Sequence, residues 1–298
     1  GPRAVRRPNI VLILADDMGY GDFGRYNNGL TQTPHLDALA AESVRLSQCY
    51  AGSCVCSPSR AALLSGRYPH RTGAIDTREH RGTDRLGLQE TTLAELLSRA
   101  GYVTGLVGKW HLGELDERFL PQNRGFAEVC AFRGGWQDYW GWWLERNGQW
   151  SKGDGRYLTD VLTEEAVGFI ARHAGEPFFL YLAYNCPHTP LQCPEEDIAP
   201  FRGLPGVNEA VATIYGMIRR MDAGIGRVLE ELERRGLREN TVVIFTSDNG
   251  PQFGSEVGAT RRFNCNLNGQ KGNVYEGGIR VPAVVRWPGG GLGDADCN

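Results

Sequence analysis

Three nearly unbroken apolar runs constrain this chain most: Asn9–Ala15 (NIVLILA), Pro177–Tyr184 (PFFLYLAY) and Thr241–Thr246 (TVVIFT). Each has the length of a strand, and none alternates polar with apolar residues. Both faces of such a strand must be covered, which is the condition of a parallel sheet. The intervening stretches have helical spacing. Thr33-Pro34 opens a helix to about Glu42, with Leu36, Leu39 and Ala40 on one face and proline in its first turn. Pro58–Leu64 reads as a short helix capped by Ser57. Thr92–Ala100 and Leu158–His173 read as helices. Asn208–Arg235 is a long amphipathic one, with Val211, Ile214, Ile218, Met221, Ile225, Val228 and Leu232 at three- and four-residue steps. Ser43–Tyr50, Val103–Val107 and Val281–Trp287 supply further strands. Strands alternating with helices predict an α/β domain, a mostly parallel central sheet with helices on both faces. Its chemistry is expected at the carboxyl ends of the strands. Only Arg133–Trp150, rich in glycine and aromatics, breaks the alternation. Most of Trp136, Tyr139, Trp140, Trp142 and Trp143 are expected as a core wedge, the alternative being a sugar-stacking surface.

Composition narrows the partners. A formal charge of −3 gives no electrostatic reason to bind nucleic acid or an anionic membrane. The longest apolar run, Ile10–Ala15, falls far short of the roughly 20 residues of a membrane-spanning helix. Gly1–Pro8 is basic and polar, with no apolar core of a signal peptide behind it. The eight cysteines include a crowded trio, Cys49, Cys54 and Cys56, but no paired CxxC zinc pattern.

The candidate chemistry follows the strands. Asp16-Asp17 ends the first run and Asp248-Asn249 follows the third. In one parallel sheet they would meet at one edge, offering oxygen ligands suited to Ca²⁺ or Mg²⁺. Taken singly, each pair is an ordinary turn sequence. Cys56 stands just before a helix start, where amide N–H groups favour an anion. A thiolate there would be a soft group beside a hard cation, a poor match.

Cys56-Ser57-Pro58-Ser59-Arg60 resembles the signature of the type I, formylglycine-dependent sulfatases, members of the alkaline-phosphatase-like superfamily. Gly101–His111 (GYVTGLVGKWH) is similar to their second signature, with Lys109 and His111 in the site. Asn185–Pro190 (NCPHTP) resembles the segment with a second histidine, His188, and Gln270–Pro282 the segment with a second lysine, Lys271. The resemblance runs from about Pro8 to Pro288. It implies a catalytic domain over residues 8–298, with the smaller C-terminal subdomain absent. It also implies a sulfuric ester hydrolase in which the formylglycine-generating enzyme oxidises Cys56 to Cα-formylglycine. The hydrated aldehyde would resolve the mismatch by offering oxygen to the cation. Asp16, Asp17, Asp248, Asn249 and the modified Cys56 would hold that ion, calcium by resemblance, with magnesium as the alternative. Arg60, Lys109 and Lys271 would grip sulfate, Asp248 would activate the nucleophile, His188 would protonate the leaving alcohol and His111 would assist sulfate release. A sulfated small molecule or glycan is the implied substrate, and an exported location is favoured by the resemblance alone. The rival readings are a phosphomonoesterase or phosphonate hydrolase of the same superfamily, and an inert binding protein on the same fold.

Overall fold

The apolar runs form the middle of a large sheet. The structure is a computed structural model and describes residues 7–252 and 262–297; the basic run 1–6 and Asn298 lie outside them. Its strands are β1 Asn9–Ala15, β2 Val44–Leu46, β3 Val103–Lys109, β4 Glu128–Phe132, β5 Trp143–Arg146, β6 Gln149–Lys152, β7 Phe178–Ala183, β8 Thr241–Ser247, β9 Ala283–Arg286 and β10 Ala295–Cys297. They lie in the order β10-β2-β9-β8-β1-β7-β3-β4-β5-β6. The five central strands, β8-β1-β7-β3-β4, are parallel throughout. Antiparallel pairs flank them: β9 runs against β8 and β2, and β5 against β4 and β6.

The helices are α1 Pro34–Ala41, α2 Cys56–Ser65, α3 Pro69–Thr72, α4 Leu93–Arg99, α5 Leu158–Arg172, α6 Glu195–Ile198, α7 Glu209–Arg234 and α8 Glu276–Ile279. Strand β1 shows why its run has no polar face. Val11, Ile13 and Ala15 enter a core with the apolar faces of α1, α5 and α7. Leu12 and Leu14 enter a second core with Ala61 and Leu64 of α2 and Ala94 of α4. Neighbouring side chains of a strand point to opposite faces, so both cores draw on one strand. The expected fold class therefore holds.

Several expectations need correction. The strand expected over 43–50 is only Val44–Leu46. Beyond it, single contacts replace a ladder, such as Val281 N to Cys49 O at 3.0 Å. Helix α2 starts at Cys56, two residues before the expected start, and its cap residue is Val55. Ser57 lies inside the helix, its hydroxyl donating to Asp84 O at 3.0 Å. Pro58 is tolerated there because first-turn N–H groups have no helical partner. The aromatic insert contains a hairpin, β5–β6, and most of its named rings are not core. Tyr139 and Trp142 are buried, whereas Trp136, Trp140 and Trp143 are 65%, 40% and 47% exposed. The hairpin edges the sheet, so only one of its faces meets the core and Trp143 lies on the other, while Trp136 and Trp140 lie in the loop before it.

Candidate active site

Ala15 pairs with Ser247, which brings the residues after β1 and β8 side by side. Asp248 N donates to Ala15 O at 3.1 Å, and Asp17 N donates to Asp248 Oδ1 at 3.2 Å. Asn249 Nδ2 donates to Asp17 Oδ1 at 2.7 Å. Asp16, Asp17, Asp248 and Asn249 are all buried. Asp17 has φ 63°, a left-handed conformation that a non-glycine residue keeps only where its surroundings fix it.

Basic side chains arrive from three other elements. Lys109 is the last residue of β3, and Gly108 before it allows close pairing with β7. A Cβ at Gly108 would lie 1.9 Å from Ala183 O. Lys109 Nζ is 2.6 Å from Asp16 Oδ2. Arg60 lies one helical turn after Cys56 and so shares its face of α2. Its Nε and Nη2 lie 2.9 and 2.8 Å from Asp248 Oδ2, with Nη2 3.6 Å from Asp16 Oδ2. Lys271 Nζ reaches both oxygens of Asp17 at 2.7 Å. Three acids thus face three bases in a buried group.

Burial, reinforced by Asp16, pushes the Asp248 carboxyl up to about 6 against the pull of Arg60 and Lys109. Burial also acts upward on Asp17, but Lys271, His188 and Lys109 outweigh it and hold that carboxyl well below the usual range. Burial would lower Lys271, yet Asp17, Cys56 and Asp16 raise it, so its ammonium stays protonated.

Cys56, at the N-terminus of α2, is 3% exposed. Burial raises its thiol, with Lys109 and Lys271 pulling the other way and Asp16 and Asp248 adding to the rise. The sulfur is a neutral thiol at neutral pH, a weak nucleophile and a poor ligand for a hard cation. The same four charges place position 56 inside the acid–base group.

The two histidines are fixed in orientation. His111 has φ 58° and is buried. Its Nε2 lies 3.2 Å from Thr77 O; a carbonyl only accepts, so Nε2 carries the proton. Nδ1 is buried without a hydrogen-bond partner and is left as an acceptor. Burial first, then Lys109 and Arg60, lower this imidazole well below its ordinary value, which keeps it neutral. His188 donates from Nδ1 to Thr189 O at 2.7 Å and turns Nε2 toward Asp17 Oδ2, 3.8 Å away. Burial is the main cause lowering it to about 4.

The donor set fits a hard cation. Asp16 Oδ1 and Asn249 Oδ1 are buried oxygens without a hydrogen-bond partner. Asp16, Asp17 and His188 each offer a ligand atom within 4.8 Å of the others.

All the residues singled out from sequence thus meet in one place. Others gave no local signal. Tyr139 OH lies 2.7 and 3.0 Å from the carbonyl oxygens of Asn185 and His188, bracing that loop. Arg262 pairs with Asp22 at 3.0 Å and donates to Asp17 O at 2.6 Å, bracing the acidic loop. Glu79 Oε1 stands 3.5 Å from His111 Nε2.

A parallel sheet with such a group at its carboxyl edge, over the helix that begins at position 56, defines an alkaline-phosphatase-like hydrolase fold. The family model described as Sulfatase matches residues 8–293. The chain belongs to the sulfatase family. It is 36% identical to N-acetylgalactosamine-6-sulfatase of Canis lupus familiaris, the match covering 96% of this chain and 58% of that protein. It is 34% identical to an arylsulfatase of Hemicentrotus pulcherrimus, over 95% of this chain and 54% of the relative. It thus spans little more than half the length of these relatives. Among solved structures, Ps i-CgsB in complex with k-i-k-neocarrahexaose superposes with a TM-score of 0.90 at 36% identity, over 98% of this chain and 68% of that one.

Proposed function

We propose that the protein hydrolyses sulfate monoesters, with a sulfated carbohydrate as substrate, through an oxygen nucleophile made from Cys56 and one divalent cation. The observation that carries this reading is the convergence of Arg60, Lys109 and Lys271 on the acids that surround position 56. Conversion of Cys56 to Cα-formylglycine would supply a hydroxyl where a neutral thiol now stands. A cation held by Asp16, Asp17, Asp248, Asn249 and that hydroxyl would supply Lewis-acid polarisation; calcium is favoured by resemblance, with magnesium as the alternative.

The remaining work falls to the chain's own groups. Asp248, raised to about 6, is the acceptor for the proton of the attacking hydroxyl, and Arg60 beside it orients that hydroxyl. Lys109 and Lys271 neutralise the charge that grows on the ester oxygens, typically the largest contribution to such a reaction. His188, expected from the resemblance to protonate the leaving alcohol, is neutral with its proton on Nδ1, so its Nε2 can only accept on the leaving-alcohol side. Lys271, which stays protonated and meets the same oxygen of Asp17, is the proton source beside it. His111 Nδ1 accepts the proton whose loss releases sulfate, in keeping with its empty, buried acceptor.

A carbohydrate substrate is supported by the names of the relatives, one an N-acetylgalactosamine-6-sulfatase and one solved with a neocarrahexaose. The test joins mass spectrometry of the Cys56 peptide to turnover of aryl sulfate and aryl phosphate. Loss of sulfur with gain of oxygen at position 56, and preference for sulfate, is the expected result. An unmodified thiol in an active enzyme, or preference for phosphate, would overturn the reading.

A further inference from the structure

Beside His111 lies a cavity of about 450 Å³ that the proposed reaction does not use. Its volume is in the range of small-ligand sites. Glu79, Glu114, Arg133, Trp136 and Trp150 line it. The cavity adjoins the candidate active site, because Glu79 Oε1 is 3.5 Å from His111 Nε2 and accepts from Gly135 N at 2.5 Å. The two carboxylates close on one stretch of backbone. A Cβ at Gly134 would lie 3.1 Å from Glu79 Oε1 and 3.2 Å from Glu114 Oε2.

The wall is aromatic and acidic, and its one cation is already engaged. Trp136 and Trp150 are 65% and 49% exposed, unusual for the most hydrophobic of the large side chains. Arg133 Nε pairs at 2.7 Å with the buried Glu145, and its guanidinium lies 5.1 Å from the Trp150 ring centre. Glu79 and Glu114 have no such arginine partner in the cavity. Burial and then Glu79 raise the Glu114 carboxyl, and Glu79 Oε1 accepts from Gly135 N. Indole faces suit the apolar face of a sugar ring, and paired carboxyls suit its hydroxyls. A second sulfate or a carboxylate would meet acids with no free base.

We propose that this cavity binds an uncharged sugar ring of the substrate, next to the ring that bears the sulfate ester, and turns away rings with a further anionic group. The assignment rests on the sulfatase reading above and gives it a specificity. Trp136 and Glu114 take no part in the reaction, so they act on binding alone.

The test uses the matured enzyme and three probes: 4-nitrophenyl sulfate, a panel of neutral disaccharides each carrying one sulfate ester, and their counterparts with a second sulfate on the neighbouring ring. Trp136→Ala should raise KM for the singly sulfated disaccharide that is cleaved by roughly tenfold. It should leave kcat for 4-nitrophenyl sulfate and the melting temperature unchanged. Glu114→Lys should shift preference toward the doubly sulfated counterpart. Saturation-transfer NMR should detect the desulfated disaccharide on the wild type and lose it with Trp136→Ala. The proposal is overturned if KM is unmoved, if the wild type prefers the doubly sulfated sugar, or if only the aryl ester is cleaved. Failure to cleave the aryl ester as well would instead remove the sulfatase reading, and the proposal with it.

Discussion

Two buried carboxylates, Asp248 after β8 and Asp222 on α7, have the same exposure and opposite employment. Each is 1% exposed, and burial pushes each up to about 6. Asp222 spends both oxygens on backbone: Oδ1 accepts from Leu36 N at 2.7 Å and Oδ2 from His35 N at 3.1 Å. It caps the first turn of α1, whose own Thr33 makes no capping bond. Asp248 instead faces Arg60 and Asp16, with partnerless oxygens of Asp16 and Asn249 nearby. A raised carboxyl therefore does not by itself mark chemistry. The distinction lies in the partners. Backbone donors complete one acid, while side-chain charges with unfilled oxygens leave the other ready for a ligand.

The sharpest way to break the comparison is to remove the group it is arranged around. Cys56→Ala should cut turnover by about 10⁴-fold or more while the fold persists, because the variant loses only a neutral buried thiol. Steady-state kinetics and circular dichroism check both halves. Retained turnover would mean that position 56 is not the nucleophile.

Next in size, Asp248→Asn should lower kcat by about 10²- to 10³-fold, since an amide cannot accept the proton and Arg60 loses its ion pair. Under the same assay Asp222→Asn should leave kcat unchanged. Equal losses in the two variants would erase the contrast.

A third, smaller effect concerns the cation. Calcium at about 100 times its dissociation constant should stabilise the fold by about 2.7 kcal/mol, a rise of about 5 °C in melting temperature, and chelation should reverse it. Asp16→Asn should abolish the rise and Asp222→Asn should not. A rise that survives Asp16→Asn would place the ion elsewhere.

How much of this was legible in sequence depends on how local each signal was. The apolar runs of β1, β7 and β8 required burial on both faces, and so the parallel middle of the sheet. Once those strands were neighbours, Asp16-Asp17 and Asp248-Asn249 had to meet, because register carries the residues after one strand beside those after the next. Lys109, His111, His188 and Lys271 came through resemblance; no periodicity points to a lysine at a strand end. A tryptophan's size favours burial, but Trp143 takes its exposure from the outer face of an edge hairpin, and Trp136 and Trp140 lie in the loop that leads into it. Glu79 and Arg262 carry no signal in the sequence, and Tyr139 reads there only as a core ring. Their partners lie 32, 245 and 49 residues away, and only the folded chain brings Glu79 to His111, Arg262 to Asp17 and Tyr139 to His188.

The smallest predicted effect sharpens the comparison most, because it isolates burial from chemistry. Asp222 has a folded pKa of about 6 against an ordinary 3.8. A carboxyl raised on folding contributes most below 3.8, and that contribution is lost as pH rises through 6. The full loss, about two pKa units, is ~3 kcal/mol as an order of magnitude. Asp222→Asn does not titrate. At pH 4 it and the protonated acid each offer one acceptor oxygen to the α1 amides, so their stabilities should lie close. Between pH 4 and pH 8 the variant should gain on the wild type by up to that amount in urea unfolding. A stability difference that stays flat over this range would mean that the two backbone donors fully offset burial, and that Asp222 is an ordinary ionised helix cap.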